Sequence, residues 1–152
     1  MEFFLEEDDH LKLKAHDEEH LELISACIQD ALVPLSCFHF DKEEQSFKML
    51  LNRFQWEKSP IVLPAETFYL RTHTALLFED VTHVDYRGIA ADHSLKMLNI
   101  LMLYAGKPGF IHILCAEGIV IRLHINKISC YFHDLNDPWP THHRPDHFTH
   151  VA

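Results

Sequence analysis

The sequence predicts an α+β fold in which one N-terminal amphipathic helix packs on a curved antiparallel meander of six to seven strands. Two patterns lead to this prediction. Hydrophobic residues alternate with polar ones from Ile119 to Ile125, the period of a half-buried strand. From Leu21 to Leu32 the hydrophobic residues recur at the spacing of one helix face. We favour a partial barrel of pleckstrin-homology-like kind, and a two-layer sandwich is the alternative.

The clearest strand prediction is a hairpin in the last third of the chain. Phe110 to Cys115 is an apolar run, and Ala116-Glu117-Gly118 is a three-residue connection with glycine where positive φ is useful. After Ile125 the alternation continues one residue out of step through Ile128 to Phe132. We therefore expect a β-bulge near Asn126-Lys127, which would bend the sheet.

The amino-terminal part predicts an edge strand followed by the helix. Leu11 to Ala15 alternates leucine and lysine in the manner of a short edge strand. Asp17 is suited to cap the helix, because Glu18 and Glu19 follow it in the first turn. Pro34 disfavours helical geometry at the residue before it, so the helix should stop near Leu32.

The rest of the chain predicts further strands and loops. The strands are Leu35 to Phe40, Ser46 to Trp56, Phe68 to Val84 with a second bulge near Asp80, and Leu95 to Ala105. The loops are Glu57 to Ala65 and Gly88 to His93. Residues 1–10 are predicted to be an acidic mobile leader, residues 11–135 a single α+β domain, and residues 136–152 an extended C-terminal tail.

Composition limits the classes of partner. A chain of 152 residues that is 47% hydrophobic is large enough for a sizeable core. Its 13 basic residues against 23 acidic ones give a net charge of −10, which disfavours nucleic acid and anionic membranes as partners. The acidic start lacks the features of an export signal, and no run approaches the roughly 18 apolar residues of a membrane span. We expect a cytoplasmic protein.

The four cysteines lie at irregular spacings in apolar surroundings, which favours reduced core thiols over disulfides. Cys115 and Cys130 are predicted on facing strands, near His112, His124 and His133. A thiol nucleophile would need such a histidine. Strand parity points two of these histidines away from the thiols, so we expect inert buried cysteines and predict no catalytic residue.

Fourteen histidines raise the question of a metal site. The densest group lies in the tail, where His142, His143 and His147 are the alternative ligands to the expected absence of metal. His143 and His147 would share a helix face, but Pro140 and Pro145 oppose a helix there. The sequence also has no glycine-rich phosphate loop and no Cys-x-x-Cys pair, and we predict no cofactor.

Two stretches of the sequence resemble the signature segments of an alphaproteobacterial family catalogued as domain of unknown function 2948. They are Leu51-Asn52-Arg53-Phe54-Gln55-Trp56-Glu57 and the closing Pro138-Trp139-Pro140-Thr141 with Arg144-Pro145-Asp146-His147. Gln29-Asp30-Ala31 and Tyr86-Arg87-Gly88-Ile89 are similar to it as well. The resemblance covers the chain from about Leu11 to His147. It implies a bacterial protein encoded near a histidine-biosynthesis gene, and it assigns no activity, cofactor or catalytic residue.

The resemblance singles out a set of candidate binding residues: Asn52, Arg53, Trp56, Arg87, Arg144, Asp146 and His147. If the tail folds back, Asp146 could accept hydrogen bonds from Arg53 or Arg87. Such a charge-assisted pair would hold the tail against the sheet.

Two functions are compatible with these observations. The first is a non-catalytic cytosolic binding or interaction module, which would take a protein partner or a small polar ligand and could form a homodimer through Leu11 to Ala15 or Leu35 to Phe40. The second is an enzyme or metabolic accessory acting on a small polar metabolite, linked to histidine biosynthesis, with Arg53, Arg87 and His147 lining a pocket. A concave polar pocket uniting these three side chains would favour the second, and a flat apolar patch the first.

Overall fold

The structure is a computed structural model that describes residues 10–89 and 96–145. Within these ranges the chain forms one α-helix and a mostly antiparallel sheet. The elements in chain order are β1 (Lys12–Ala15), α1 (Glu18–Cys27), β2 (Ala31–Pro34), β3 (Phe38–Asp41), β4 (Ser46–Phe54), β5 (Ile61–Val62), β6 (Thr67–Phe78), β7 (Val81–Arg87), β8 (Met97–Tyr104), β9 (Phe110–Cys115), β10 (Val120–Ile125), β11 (Cys130–Asp134) and β12 (Trp139–Thr141). None of the described helices is long and apolar enough to cross a membrane.

The sheet is open and its strands follow the order β1-β11-β6-β4-β2-β8-β9-β10-β7. β3 joins β4 at one side, and both β5 and β12 pair with β6. The predicted class, a helix on an antiparallel sheet, is therefore confirmed. The predicted six to seven strands are wrong, because the described residues form twelve. The helix is also not the N-terminal element, since β1 precedes it.

The extra strands arise where single predicted runs are divided or where short segments pair at an edge. The run predicted from Phe68 to Val84 is split into β6 and β7 at Asp80, whose φ is +60°. The predicted loop after Glu57 contains β5, and the tail contributes β12. Short segments of this kind depend on their pairing partner rather than on hydrophobic period, which is why the sequence did not show them.

The helix begins as predicted and ends earlier. The Asp17 carboxylate accepts a hydrogen bond from the His20 amide at 2.8 Å, so it caps the first turn. The helix stops at Cys27 rather than near Leu32. Asp30 adopts φ +62° and turns the chain, and Ala31 then pairs with Ile100 of β8. The hydrophobic residues after Asp30 therefore belong to a strand whose inner side chains enter the core.

Helix α1 packs against β1 and β8 through its buried face. Leu21 and Ile24 are buried on this face. The hydroxyl of Ser25 accepts a hydrogen bond from the backbone amide of Leu103 at 2.9 Å, which fixes the height of the helix against β8. One hydrogen bond inside an apolar interface specifies how the helix is positioned along the strand, in addition to stabilising the contact.

The alternation predicted in β10 is confirmed. Ile121, Leu123 and Ile125 are all buried, while Arg122 and His124 between them face the outer side of the sheet and are partly exposed. The predicted phase change also occurs, since Cys130 and Phe132 of β11 are buried. The strand breaks between Ile125 and Cys130.

The two long runs predicted as strands, Phe68 to Val84 and Ile119 to Phe132, are interrupted at positions that lie beside each other in the sheet. The Glu79 amide donates to the Ser129 carbonyl at 2.9 Å, and the Asn126 amide donates to the Asp80 carbonyl at 3.1 Å. On one side of these interruptions β6 pairs with β11, and on the other side β7 pairs with β10. The bend therefore divides the sheet into two regions with different outer faces.

Replacing Ile121 by alanine tests the inward assignment of alternate residues in β10. Ile121 is fully buried, so Ile121→Ala should lower the free energy of unfolding by about 2–5 kcal/mol, measured by urea denaturation. The neighbouring Val120→Ala is the matched control, since Val120 is only half-buried on the outer face and should cost less than half as much. Equal losses would contradict the assignment.

Candidate functional site

The structure places the candidate residues in two separate regions, and the first is centred on Arg53. This arginine lies near the end of β4 and its side chain is completely buried. Nε and Nη2 donate to the two Asp134 oxygens at 2.8 and 2.6 Å, and Nη1 and Nη2 donate to the two Glu57 oxygens at 3.1 and 2.7 Å. A fifth bond from Nη1 reaches the Cys27 carbonyl at 3.4 Å. These bonds use the five N–H donors of the guanidinium.

Burial and pairing act in opposite directions on this group. Burial alone would lower the pKa of Arg53, but the hydrogen bonds to Asp134 and Glu57 outweigh it and raise the pKa above its usual range. Partial burial raises the pKa of Glu57, but its bonds to Arg53 and to its own backbone amide together lower it. Arg53 is therefore charged inside the core and is held by two carboxylates.

Neighbouring side chains complete the arginine cluster, which we define as Arg53, Glu57 and Asp134. The Thr74 hydroxyl donates to an Asp134 oxygen at 2.6 Å, and the Phe132 ring lies 5.1 Å from the guanidinium carbon. The cluster joins β4, β11 and the end of α1. Its geometry is that of a structural cross-link, and the binding role predicted for Arg53 stays a prediction.

Three other candidates lie around this cluster. The side chain of Asn52 accepts a hydrogen bond from Arg71 at 3.0 Å. The indole of Trp56 donates to the Gln29 carbonyl at 2.8 Å, and the Arg144 guanidinium lies 5.8 Å from the Trp56 ring. The chain leading to Arg144 is therefore brought back onto the sheet. Arg144 of the closing signature segment therefore lies beside Trp56 of the first signature segment.

The segment after β11 lies along β6. The Thr72 hydroxyl donates to the Asn136 carbonyl at 2.8 Å, and the Trp139 ring lies 4.7 Å from that of His73. β12 then pairs with the β6 residues 69–71. Asp146 and His147 lie outside the described residues, so the predicted bond from Asp146 to Arg53 or Arg87 is not tested.

A cavity of about 400 Å³ opens beside the arginine cluster. Its wall includes the polar residues Gln55, Glu57, Asp134 and Asp137. The Gln55 side chain is buried, and among the described residues its carbonyl oxygen has no hydrogen-bond partner. This cavity contains neither Arg53 nor Arg87 in its wall, so the described structure does not unite the residues of the predicted metabolite pocket.

Arg87 lies in the second region, at the end of β7. The outer face of β7, β10 and β9 carries a polar group that we call the Asp85 cluster: His83, Asp85, Arg122 and His124. In the antiparallel register His83 lies opposite His124, and Asp85 lies opposite Arg122. Two residues spaced by two on each strand share one face, so all four side chains meet.

The carboxylate of Asp85 is the centre of this cluster. His83 Nε2 lies 2.9 Å from Oδ1 and His124 Nε2 lies 2.7 Å from Oδ2. Arg122 donates to Oδ2 from Nε at 3.2 Å and from Nη2 at 2.9 Å. The bonds from His124, Arg122 and His83 hold the pKa of Asp85 well below its usual range.

Aromatic rings surround the Asp85 cluster. The Phe110 ring lies 5.0 Å from the His124 ring and 4.9 Å from the Arg122 guanidinium carbon. Tyr104 stacks on His112 at 4.8 Å. Burial lowers the pKa of His112, and repulsion from Arg122 and Lys107 lowers it further.

Beside this cluster lies a smaller cavity of about 210 Å³. Its wall contains Asp85, Tyr86, Arg87, His112, Val120 and Arg122. Burial raises the pKa of Tyr86, so its hydroxyl stays protonated. Two cationic side chains therefore border one concavity.

Of this second region, only Arg87 is among the binding residues predicted from the sequence. The signals were His83-x-Asp85 and Arg122-x-His124, each a pair of polar residues on one face of a strand. The alternating pattern explains Arg122 and His124 as the polar half of a strand, and nothing in the local sequence links them to His83 and Asp85. The pairing of β7 with β10 brings them together, and this pairing joins residues about 40 positions apart in the chain.

The cysteines are free thiols, as predicted. Cys115 and Cys130 are buried, and burial raises the pKa of Cys115 to about 11 and that of Cys130 further. They do not lie on facing strands, because Cys115 belongs to β9 and Cys130 to β11. The prediction failed because the strand after the bulge pairs with β1 and β6 rather than with β9.

The arginine cluster can be tested by a double-mutant cycle on Arg53 and Asp134. Arg53→Met leaves the buried Asp134 without its partner, so it should lower the free energy of unfolding by about 3–5 kcal/mol. The double variant Arg53→Met/Asp134→Leu should lose less than the sum of the single variants, measured by urea denaturation. Additive losses would show that the two groups are not coupled.

The Asp85 cluster predicts a defined pH dependence of stability. The unfolded chain takes up a proton near the usual aspartate pKa of 3.8, whereas the folded chain takes it up only at lower pH. Between these values the unfolded state binds more protons, so stability should fall as the pH falls through this window. Asp85→Asn should remove this contribution, and its stability deficit against the wild type should shrink from about pH 5 to about pH 2 in urea denaturation. A constant deficit would contradict the pairing.

Comparison with known proteins identifies the family of this fold. No curated protein and no solved structure matches the chain. Residues 11–147 match one family, and this range includes α1 and the twelve strands of the described structure. The family suspected from the sequence is therefore confirmed. The chain belongs to the family described as Protein of unknown function (DUF2948).

Proposed function

We propose that the protein is a non-catalytic binding module whose ligand is a small anion, a carboxylate or a phosphate, held at the outer face of β7, β9 and β10. The observation that carries this proposal is the meeting of Arg87 and Arg122 at one cavity. The chain has only five arginines and a net charge of −10. A local concentration of guanidinium groups is therefore a specific feature of this surface.

Arg122 is already oriented for such a ligand. Its Nε and Nη2 atoms bond Asp85, and Phe110 packs against the guanidinium plane. Nη1 takes part in neither bond to Asp85, so it remains available to an anion at the cavity. A guanidinium held in place loses less conformational freedom on binding than a free one.

His112 supplies a second polar contact at the same cavity. Its Nδ1 atom is buried and has no hydrogen-bond partner among the described residues. A buried polar atom without a partner costs free energy, and a ligand group that bonds it removes this cost. The His112 side chain also lines the cavity that Arg87 and Arg122 border.

The size of the cavity limits the ligand. Ligand pockets for drug-sized molecules typically occupy roughly 300–1,000 Å³. The cavity at Arg87 has about 210 Å³, which suits a small acid or a phosphate group rather than a whole nucleotide.

A second candidate function is an enzyme or metabolic accessory acting on a small polar metabolite, as the sequence analysis allowed. The polar cavity of about 400 Å³ beside the arginine cluster favours it. The carboxylates and amides of that cavity would suit a ligand with amino or hydroxyl groups, and the buried carbonyl of Gln55 could accept a hydrogen bond from it. The two candidates thus differ in location and in ligand charge.

The wider setting is part of the proposal. We propose a bacterial, cytoplasmic protein, as the sequence predicts. We also propose a partial barrel of pleckstrin-homology-like kind, and the break at Asp80 between β6 and β7 supports this curvature. Homodimer formation through β1 is disfavoured by its exposed Lys12 and Lys14, since charged side chains on an edge strand oppose pairing. The edge at β3 is the better candidate for a dimer.

The anion site is tested by NMR titration of the full chain with inorganic phosphate and with succinate. Amide signals of β7, β9 and β10 should shift saturably. Arg87→Gln should weaken binding about 10–100-fold, the equivalent of a lost hydrogen bond to a charged group. Arg144→Gln is the matched control, because Arg144 is also an exposed arginine and lies at Trp56 instead.

Two results would contradict the proposal. One is an absence of saturable shifts at this face with either anion. The other is an equal loss of affinity in Arg87→Gln and Arg144→Gln, which would indicate general charge attraction. Shifts confined to Gln55 and its neighbours, with an amine ligand, would favour the second candidate.

A further inference from the structure

We propose that His83, Asp85 and His124 form a binding site for one divalent transition-metal ion, with Zn²⁺ as the ion whose chemistry fits best. Two imidazole nitrogens and one carboxylate oxygen are a common ligand set for zinc and its neighbours. The sequence predicts no metal, with the tail histidines His142, His143 and His147 as the alternative ligands. This site lies elsewhere, and it does not depend on the anion site proposed above.

The ligand atoms already converge. His83 Nε2, His124 Nε2 and an Asp85 oxygen all lie within 4.8 Å of one another. In the part of the chain that the structure describes, this is the one such group of three. Zinc binds these atoms at roughly 2.0–2.2 Å, which places tetrahedral ligands roughly 3.3 Å apart. Side-chain rotations that move the ligand atoms by about 1 Å would give this geometry.

The backbone holds the three ligands in place. His83 and Asp85 are two residues apart on β7, so they share a face, and His124 lies opposite His83 on the hydrogen-bonded β10. Sites on paired strands are positioned more accurately than sites on loops. Three protein ligands leave a fourth position for water or another small ligand, as in zinc sites that are open to solvent.

Arg122 is the group that could oppose a metal, because its charge is also close to Asp85. Its two bonds both go to Oδ2, whereas Oδ1 is contacted by His83. His124 Nε2 now lies 2.7 Å from Oδ2, so a metal bound through Oδ1 would take His124 from that oxygen and leave it with Arg122. An outer partner of this kind orients a ligating carboxylate.

The histidine rings are also restrained. The Phe110 ring contacts His124 edge-to-face at 5.0 Å, and His83 lies edge-to-face against His124 at 4.9 Å. These contacts limit the rotations open to His124. Its nitrogen therefore loses little freedom when a metal binds.

The tail histidines have other contacts. His142 packs on Phe68 at 4.5 Å and lies 3.8 Å from Glu66, and the His143 amide bonds the Thr141 hydroxyl at 3.3 Å. His147 lies outside the described residues. His142 and His143 are therefore suited to serve as the control for nonspecific metal binding by exposed histidines.

Isothermal titration calorimetry with Zn²⁺ tests the proposal, using the full chain without a histidine tag, treated with chelator and kept in phosphate-free buffer. We expect one Zn²⁺ per chain. His83→Ala/His124→Ala should weaken binding by at least about 100-fold, since loss of an outer partner alone weakens metal sites 10–100-fold. His142→Ala/His143→Ala should leave the affinity unchanged.

A second measurement identifies the ligands without relying on affinity. Co²⁺ added in place of Zn²⁺ should give a visible absorption band, and Asp85→Asn should reduce it while the far-UV circular dichroism is kept. The proposal is overturned if the wild type binds no zinc saturably, if the tail variant alone loses binding, or if removal of both histidines has no effect. Because phosphate and succinate titrations are read by NMR in metal-free protein, failure of the anion site would be seen separately.

Discussion

The simultaneous bend of two paired strands is the constraint on which the rest of the structure depends. Asp80 interrupts β6–β7 and residues 126–129 interrupt β10–β11, and the backbone bonds between these breaks keep them at one level. If only one strand were interrupted, the register beyond it would slip and its inward residues would turn outward. Because both break together, Cys130 and Phe132 remain in the same core as Ile121.

The two regions on either side of the bend use charge differently. Near β4 and β11, Arg53 is removed from water and its donors are all bonded to protein groups, which favours a structural role. On the outer face of β7 and β10, Asp85 and its partners are partly exposed and lie beside a cavity. Charges that stay accessible can exchange a protein partner for a ligand, and this difference directs both proposals to the second region.

The sequence predicted well what depends on local pattern. Asp17 caps the helix, β10 alternates inside and outside, and the chain is interrupted where the hydrophobic phase changes, although by strand breaks rather than by the predicted bulges. It predicted poorly what depends on distant pairing. The apolar run after Asp30 continues the spacing of the helix, so only its pairing with β8 identifies it as a strand. The Asp85 cluster was missed for the same reason, since its two halves are adjacent only after β7 pairs with β10.

The bonds of Arg53 also have a consequence for the order of folding. Arg53 and Asp134 are 81 positions apart. Cys27, whose carbonyl accepts another of the Arg53 bonds, precedes Arg53 by 26 positions. During synthesis the guanidinium has no Asp134 to meet until most of the chain has left the ribosome. Contacts at such separation slow folding because a large loop must close first. The early strands should therefore stay incompletely packed, and vulnerable to aggregation, until β11 joins β6.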